Sequence, residues 1–107
     1  MGKNSRVIRM DGHNVPEVLD AILQLFPLDT YAKTPVALME VMKGDTVKTP
    51  IWDEYKSIVK KYDERGAEAF ENIERFAFYE KAKDAYVIIA TSEKALYANI
   101  ILQKGVL

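Results

Sequence analysis

Val36-Ala37-Leu38-Met39-Glu40-Val41 is a continuous apolar run broken only at Glu40. A run without apolar/polar alternation suits a strand covered on both faces, as strands of parallel sheets are. On its C-terminal side, Gly44-Asp45-Thr46 reads as a turn. Thr49 is then a cap for a helix with Pro50 in its first turn. Ile51, Trp52, Tyr55, Ile58, Val59 and Tyr62 form the apolar face of that helix, and Lys60 and Lys61 suit its negative end. Gly66 is placed to terminate it. On the N-terminal side of the run lies a second amphipathic helix. Asn14 caps it, Pro16 stands in its first turn, and Glu17 follows the cap by three, as in a capping box. Val15, Val18, Leu19, Ile22, Leu23 and Phe26 recur at helical spacing before Pro27 ends the segment.

The outer segments continue the alternation. Val7 to Met10 reads as a short strand closed by Asp11-Gly12. Ile73 to Phe76 reads as a strand feeding a short helix through Lys83. Tyr86 to Ala90 is the strongest strand signal of the chain, Thr91 and Ser92 begin a turn or short helix, and Asn99 to Leu102 form a last strand. Strands alternating with helices predict an α/β sandwich with a mostly parallel or mixed sheet flanked by helices.

Composition narrows the function classes. The 107 residues suffice for one domain with a real core. A hydrophobic content of 49% and a charged content of 29% are those of a soluble globular protein. With a formal net charge of −1, no strong field draws nucleic acid or an anionic membrane. No apolar run approaches the ~20 residues of a membrane-spanning helix. The absence of cysteine excludes a disulfide framework and thiolate metal sites, and fits the cytoplasm. Met1-Gly2 invites a myristoylation reading, but position 6 is Arg6, where that motif wants Ser or Thr. There is no Gly-x-Gly-x-x-Gly or Walker sequence, so nucleotide binding has no support.

Chemistry-bearing residues cluster in Glu74-Arg75-Phe76-Ala77-Phe78-Tyr79-Glu80. Arg75 can fork onto hydroxyls or a carboxylate. Phe76 and Phe78 offer apolar area, and Tyr79 has a hydroxyl that both donates and accepts. Such a mixture serves a small polyol site. Taken alone, the stretch reads first as an amphipathic segment whose aromatics are core and whose charges are solvated. His13, the single histidine, stands beside a helix cap and reads as a solvated loop residue. Trp52 and Tyr55 could stack on a sugar ring, but on an amphipathic helix they read as core or subunit contact. Asp63-Glu64-Arg65 with Glu68 and Glu71 is a charge cluster without metal-ligand spacing, and reads as a solvated helix end.

A second stretch, Glu93-Lys94-Ala95-Leu96-Tyr97-Ala98-Asn99 running into Ile100-Ile101-Leu102-Gln103-Lys104-Gly105-Val106, joins the first. Together with Val7 to Gly12, Phe26 to Tyr31 and Gly44 to Thr46, they lie in register along nearly the whole chain. In this order they resemble the L-fucose mutarotase family, the relatives of D-ribose pyranase. The resemblance implies the fold of that family. It also implies an isomerase that interconverts the α and β anomers of L-fucose, or of related aldoses, by cofactor-free acid/base ring opening. It matches Arg75 to a sugar-binding arginine, and Tyr97, Ala98 and Asn99 to a sugar-binding Tyr-Gly/Ala-Asn tripeptide. Without the resemblance, Tyr97 to Asn99 would read as a turn before the last strand. Tyr79 is our own candidate for a proton-handling group, although a phenol with an ordinary pKa near ~10 is a poor base at neutrality. The family's self-association, typically as decamers, is a further implication, as are a neutral monosaccharide ligand and the absence of metal or other cofactors.

The family pattern also contains a Gly-His-Gly-Asp stretch, whose histidine is the general acid/base, and an aspartate before Ala-x-Phe-Pro. Neither occurs in this sequence. Residues 1–107 therefore read as one domain that is N-terminally truncated relative to the family, with Met1 at an interior position. Whether such a chain catalyses is left open. The alternative is a non-catalytic sugar-binding or structural subunit of the same family.

Overall fold

The computed structural model describes residues 6–106. The Met1-Gly2 reading and the interior placement of Met1 lie outside the described residues. In chain order the elements are β1 (Arg6–Met10), α1 (Val15–Leu25), β2 (Val36–Met39), α2 (Pro50–Tyr62), β3 (Phe70–Ile73), α3 (Arg75–Lys83), β4 (Val87–Thr91) and β5 (Ile100–Leu102). A 3-10 turn over Gly66–Ala69 leads into β3.

The strands make two sheets, not one. β1 pairs with β4 in parallel, from Arg6 opposite Val87 to Met10 opposite Thr91. The other sheet has the order β3-β2-β5, with β3 parallel and β5 antiparallel to β2. The α/β character and the parallel or mixed pairing are as expected. All four residues of β2 are buried, which is what its uninterrupted apolar run requires. Leu19 and Leu23 of α1 and Ile51, Tyr55 and Val59 of α2 pack with Val36 and Leu38 in one core cluster. α3 crosses β2, with Phe78 as its buried residue.

Both long helices start as their sequences dictate, with one difference. Asn14 Oδ1 accepts from Glu17 N at 2.9 Å and caps α1. The Thr49 side chain makes no cap bond. The Trp52 N–H goes to the Thr49 carbonyl instead, at 3.1 Å. Pro50 at the start of α2 has no N–H and so needs no acceptor, which leaves one fewer donor for a side-chain cap to satisfy.

The structure corrects three expectations. The strand expected over Ile73 to Phe76 lies earlier, at Phe70–Ile73, and Arg75 already begins a helix. The reason is Glu74, whose carboxylate accepts from Ala77 N at 3.1 Å and caps α3. Gly66 does not end α2, which stops at Tyr62 with Asp63 as its cap residue. Gly66 is needed for another reason: its φ is +53°, and a Cβ there would meet Lys60 Cδ at 2.9 Å. Finally, the 63–65 cluster is not simply a solvated helix end. Arg65 donates to Asp63, to the Ala32 carbonyl at 2.8 Å and to the Asp29 carbonyl at 3.0 Å. It ties the end of α2 to the loop before β2.

Candidate functional site at the edge of the three-stranded sheet

Strand directions bring the candidate residues to one edge of the β3-β2-β5 sheet. Met39 pairs with Ile73, so β2 and β3 end side by side. Leu38 pairs with Ile100, so the antiparallel β5 begins at that same edge. Met42 follows β2, Arg75 follows β3, and Tyr97, Ala98 and Asn99 precede β5. In α/β sheets, ligands are bound in this region, beyond the carboxyl ends of the strands.

Arg75 is the first residue of α3 and is half-buried. Its guanidinium carbon lies 4.8 Å from the Phe76 ring centroid, and Nη1 is 3.5 Å from Met42 Sδ. Among the described residues no carboxylate pairs with it. The contrast with Arg65 is chemical: Arg65 spends its fork on this chain's own oxygens, whereas the fork of Arg75 is left for another partner. Tyr79 stands one helical turn after Arg75, on the same face of α3, and is exposed. Its ring meets the buried Phe78 edge-on, with centroids 6.4 Å apart.

The tripeptide is fastened from α2. Trp52 Nε1 donates to the Tyr97 carbonyl at 2.8 Å, and the Tyr55 hydroxyl donates to the Ala98 carbonyl at 2.6 Å. Tyr55 is fully buried, and burial, then the charges of Glu93 and Glu54, push its hydroxyl pKa up, so it holds its proton for that bond. Tyr97 has φ 57°, in the left-handed region that side chains avoid. That conformation costs on the order of 1–2 kcal/mol, and the two carbonyl bonds hold it in place. The Tyr97 hydroxyl donates to Asp45 Oδ2 at 2.7 Å and accepts from Met42 N at 3.2 Å. The Tyr97 hydroxyl, then the Val47 N–H, hold Asp45 below the usual carboxylate range. Ala98 is buried, and Asn99 is exposed at the mouth of β5.

The loop leading to the tripeptide is laced to the start of α1. Glu93 accepts from Val15 N, Lys94 N and Ala95 N, each at 3.1 Å. Ser92 Oγ accepts from Gly12 N at 2.7 Å. His13 lies in this segment, exposed, with Nδ1 3.1 Å from Glu17 Oε2, as expected of a loop histidine.

Arg75 and Tyr97 thus meet around one residue, Met42, which the sequence did not single out. In the sequence Asp45 reads as part of a turn and Trp52 and Tyr55 as core or subunit contact, and none of these patterns shows their grip on Tyr97 and Ala98. The signal for Asp45 was its place in Gly44-Asp45-Thr46. For Trp52 and Tyr55, nothing in an amphipathic pattern indicates which carbonyl a buried N–H or O–H will meet.

Human fucose mutarotase is 48% identical over 103 residues, covering 94% of this chain and 66% of its own length. The chain thus spans slightly less than two thirds of that relative. The crystal structure of FucU from Bifidobacterium longum superposes with a TM-score of 0.95 at 61% identity, over 99% of this chain and 74% of that one. Fucose mutarotase from Streptococcus pneumoniae, solved in complex with L-fucose, gives a TM-score of 0.88 at 43% identity, over 95% of this chain and 71% of that one. The sequence pattern of the RbsD / FucU transport protein family matches residues 2–107, and the chain belongs to that family.

Proposed function

We propose that this chain serves the interconversion of the α and β anomers of L-fucose, and that Arg75, Tyr97, Ala98 and Asn99 form its sugar-binding site. The observation that carries this reading is the convergence of an uncommitted guanidinium and a fixed phenol on Met42, at the sheet edge where Asn99 opens to solvent. A neutral sugar offers hydroxyls and apolar C–H faces, and this edge offers donors, an acceptor and exposed aromatic area. Relatives named for fucose mutarotation, one of them solved with L-fucose, support the same ligand. Mutarotation needs one group to take the anomeric proton and another to protonate the ring oxygen. Tyr79 is the candidate for proton handling on α3. We place the activity in the cytoplasm, on a self-associating protein of one domain.

Binding and catalysis are tested separately. A small sugar held by a few hydrogen bonds binds in the millimolar range, about −4 kcal/mol. Saturation-transfer NMR should detect L-fucose on the chain, and Arg75→Ala should abolish the signal. An unchanged signal in that variant would remove Arg75 from the site.

The second reading is a sugar-binding subunit without catalysis of its own. On this reading His13 has a structural role, with its Nδ1 3.1 Å from Glu17 Oε2 at the start of α1. General acid/base assistance contributes about 10²–10⁴-fold in rate. On this second reading, magnetisation transfer between the two anomeric protons should show exchange close to that of buffer. Robust exchange by the chain, lost in Tyr79→Phe and kept in His13→Ala, would decide for catalysis through Tyr79.

A further inference from the structure

The hydroxyl of Tyr97 has one proton to give and two lone pairs to receive. Its proton is committed to Asp45 Oδ2 at 2.7 Å, and one lone pair is taken by the Met42 N–H at 3.2 Å. What remains for a ligand is a single lone pair. Tyr97 in this setting can therefore accept a hydrogen bond but cannot offer one. Asp45 is itself fixed, since its Oδ1 accepts from Val47 N at 3.0 Å and its backbone N–H reaches the Met42 carbonyl at 2.9 Å. The turn 42–47 thus holds its carboxylate under the phenol, while Trp52 and Tyr55 hold the backbone at Tyr97 and Ala98 from the other side.

We propose that Asp45 is a positioning residue that locks Tyr97 as an acceptor for one sugar hydroxyl. This rests on the reading of Arg75, Tyr97 and Asn99 as the sugar site. Arg75 is a donor only, so the two side chains beside Met42 read a ligand in opposite senses. Tyr97 requires a hydroxyl that gives its proton, and Arg75 requires an oxygen that receives one. That polarity is a specificity device: a sugar presenting a non-donating group to Tyr97 leaves its lone pair unpaired.

The test uses L-fucose and the set of its deoxyfluoro analogues, one for each ring hydroxyl, because fluorine cannot donate a hydrogen bond. In the wild-type chain, the analogue altered at the hydroxyl facing Tyr97 should bind about tenfold more weakly than L-fucose. Tyr97→Phe should bind L-fucose about as weakly and no longer distinguish that analogue. Asp45→Ala frees the phenol proton, so Tyr97 can donate, and discrimination at that one position should shrink. Asp45→Asn keeps a carbonyl oxygen to receive the proton and should restore the wild-type pattern. A purely structural role for Asp45 would weaken all analogues alike. Asp45→Ala with the wild-type analogue pattern overturns the proposal.

A sugar-independent measurement separates this failure from that of the binding-site reading. With ¹³C-labelled tyrosine, the Tyr97 Cζ resonance should move in Asp45→Ala and stay near its place in Asp45→Asn. A resonance unmoved in Asp45→Ala overturns the link between the two residues. If it moves while the wild-type chain binds no L-fucose, the sugar reading falls, and the ligand half of this proposal falls with it.

Discussion

Each of the two sheets contains an apolar strand, and the two strands meet different fates. β2 is Val-Ala-Leu-Met and is buried throughout. β4 is apolar too, and β1 carries Val7 and Ile8 between Arg6 and Arg9, yet Val7 is 47%, Ile8 43% and Val87 44% exposed. The difference lies in what covers them. α1 and α2 bring Leu19, Leu23, Ile51, Tyr55 and Val59 onto β2, and α3 crosses it with Phe78. Just past the C-terminal ends of β1 and β4, Gly12 and His13 bond to Ser92, and Val15 at the start of α1 bonds to Glu93. An apolar run therefore tells that a strand forms, but not what packs on it. The candidate site grows from the ends of the covered sheet, where Tyr97 can be held in an unfavourable backbone conformation. A precise site needs rigid support of this kind.

The largest effect that would test this contrast is a cavity in the covered sheet. Leu38 is fully buried between α2 and its neighbouring strands. Leu38→Ala should cost about 2–5 kcal/mol, read from the shift of the urea midpoint. A loss as small as that of an exposed substitution would mean that β2 is not the stability centre.

The elements around β2 were the legible ones. The apolar periodicity of α1 and α2, the Asn14 cap and the uninterrupted run of β2 each have a local cause that the sequence displays. The β3 boundary was missed because Glu74 acts as a cap, and a glutamate is not a usual cap residue. The division into two sheets was missed because pairing is a long-range choice, made here between residues about 80 apart, as at Arg6 and Val87. The candidate site divides in the same way. Arg75, Tyr79 and Tyr97 to Asn99 carry their chemistry in their identities. Met42 and Asp45 acquire theirs only when β2 and β5 are brought to one edge.

A smaller effect probes the open sheet. If the β1–β4 face stays exposed, Ile8→Ala should change stability by less than about 1 kcal/mol. Exposed apolar area also favours association. Sedimentation at micromolar concentration should then show species larger than a monomer, and Ile8→Lys should shift them toward smaller ones. One sharp monomeric boundary in the wild-type chain would break this part of the contrast. A large, concentration-dependent loss in Ile8→Ala would sharpen it, since it would mean that a second copy covers the strand.

The smallest effect compares two Arg–Asp pairs, each two residues apart in sequence. Arg9 and Asp11 sit at the end of β1 with side chains 74% and 65% exposed. An ion pair so placed contributes about 0–1 kcal/mol and is screened by salt, so Asp11→Asn should leave the urea midpoint nearly unchanged. Arg65 and Asp63 are the counterpart on the covered side, 2.7 Å apart, with side chains 27% and 16% exposed. Arg65 also holds the Asp29 and Ala32 carbonyls, so the pair orients a latch between α2 and the loop before β2. The Arg65 side chain, then its backbone N–H, hold Asp63 below the usual carboxylate range. A carboxyl whose pKa is lowered on folding adds stability above its unfolded value and loses it as pH falls through the folded one. Asp63→Asn should therefore be less stable than wild type at pH 7, and the two urea midpoints should converge as pH falls below about 4, near the ordinary Asp value. A gap at Asp63 that persisted unchanged in acid would show that the latch acts through shape alone, and that charge does not distinguish the two halves of the molecule.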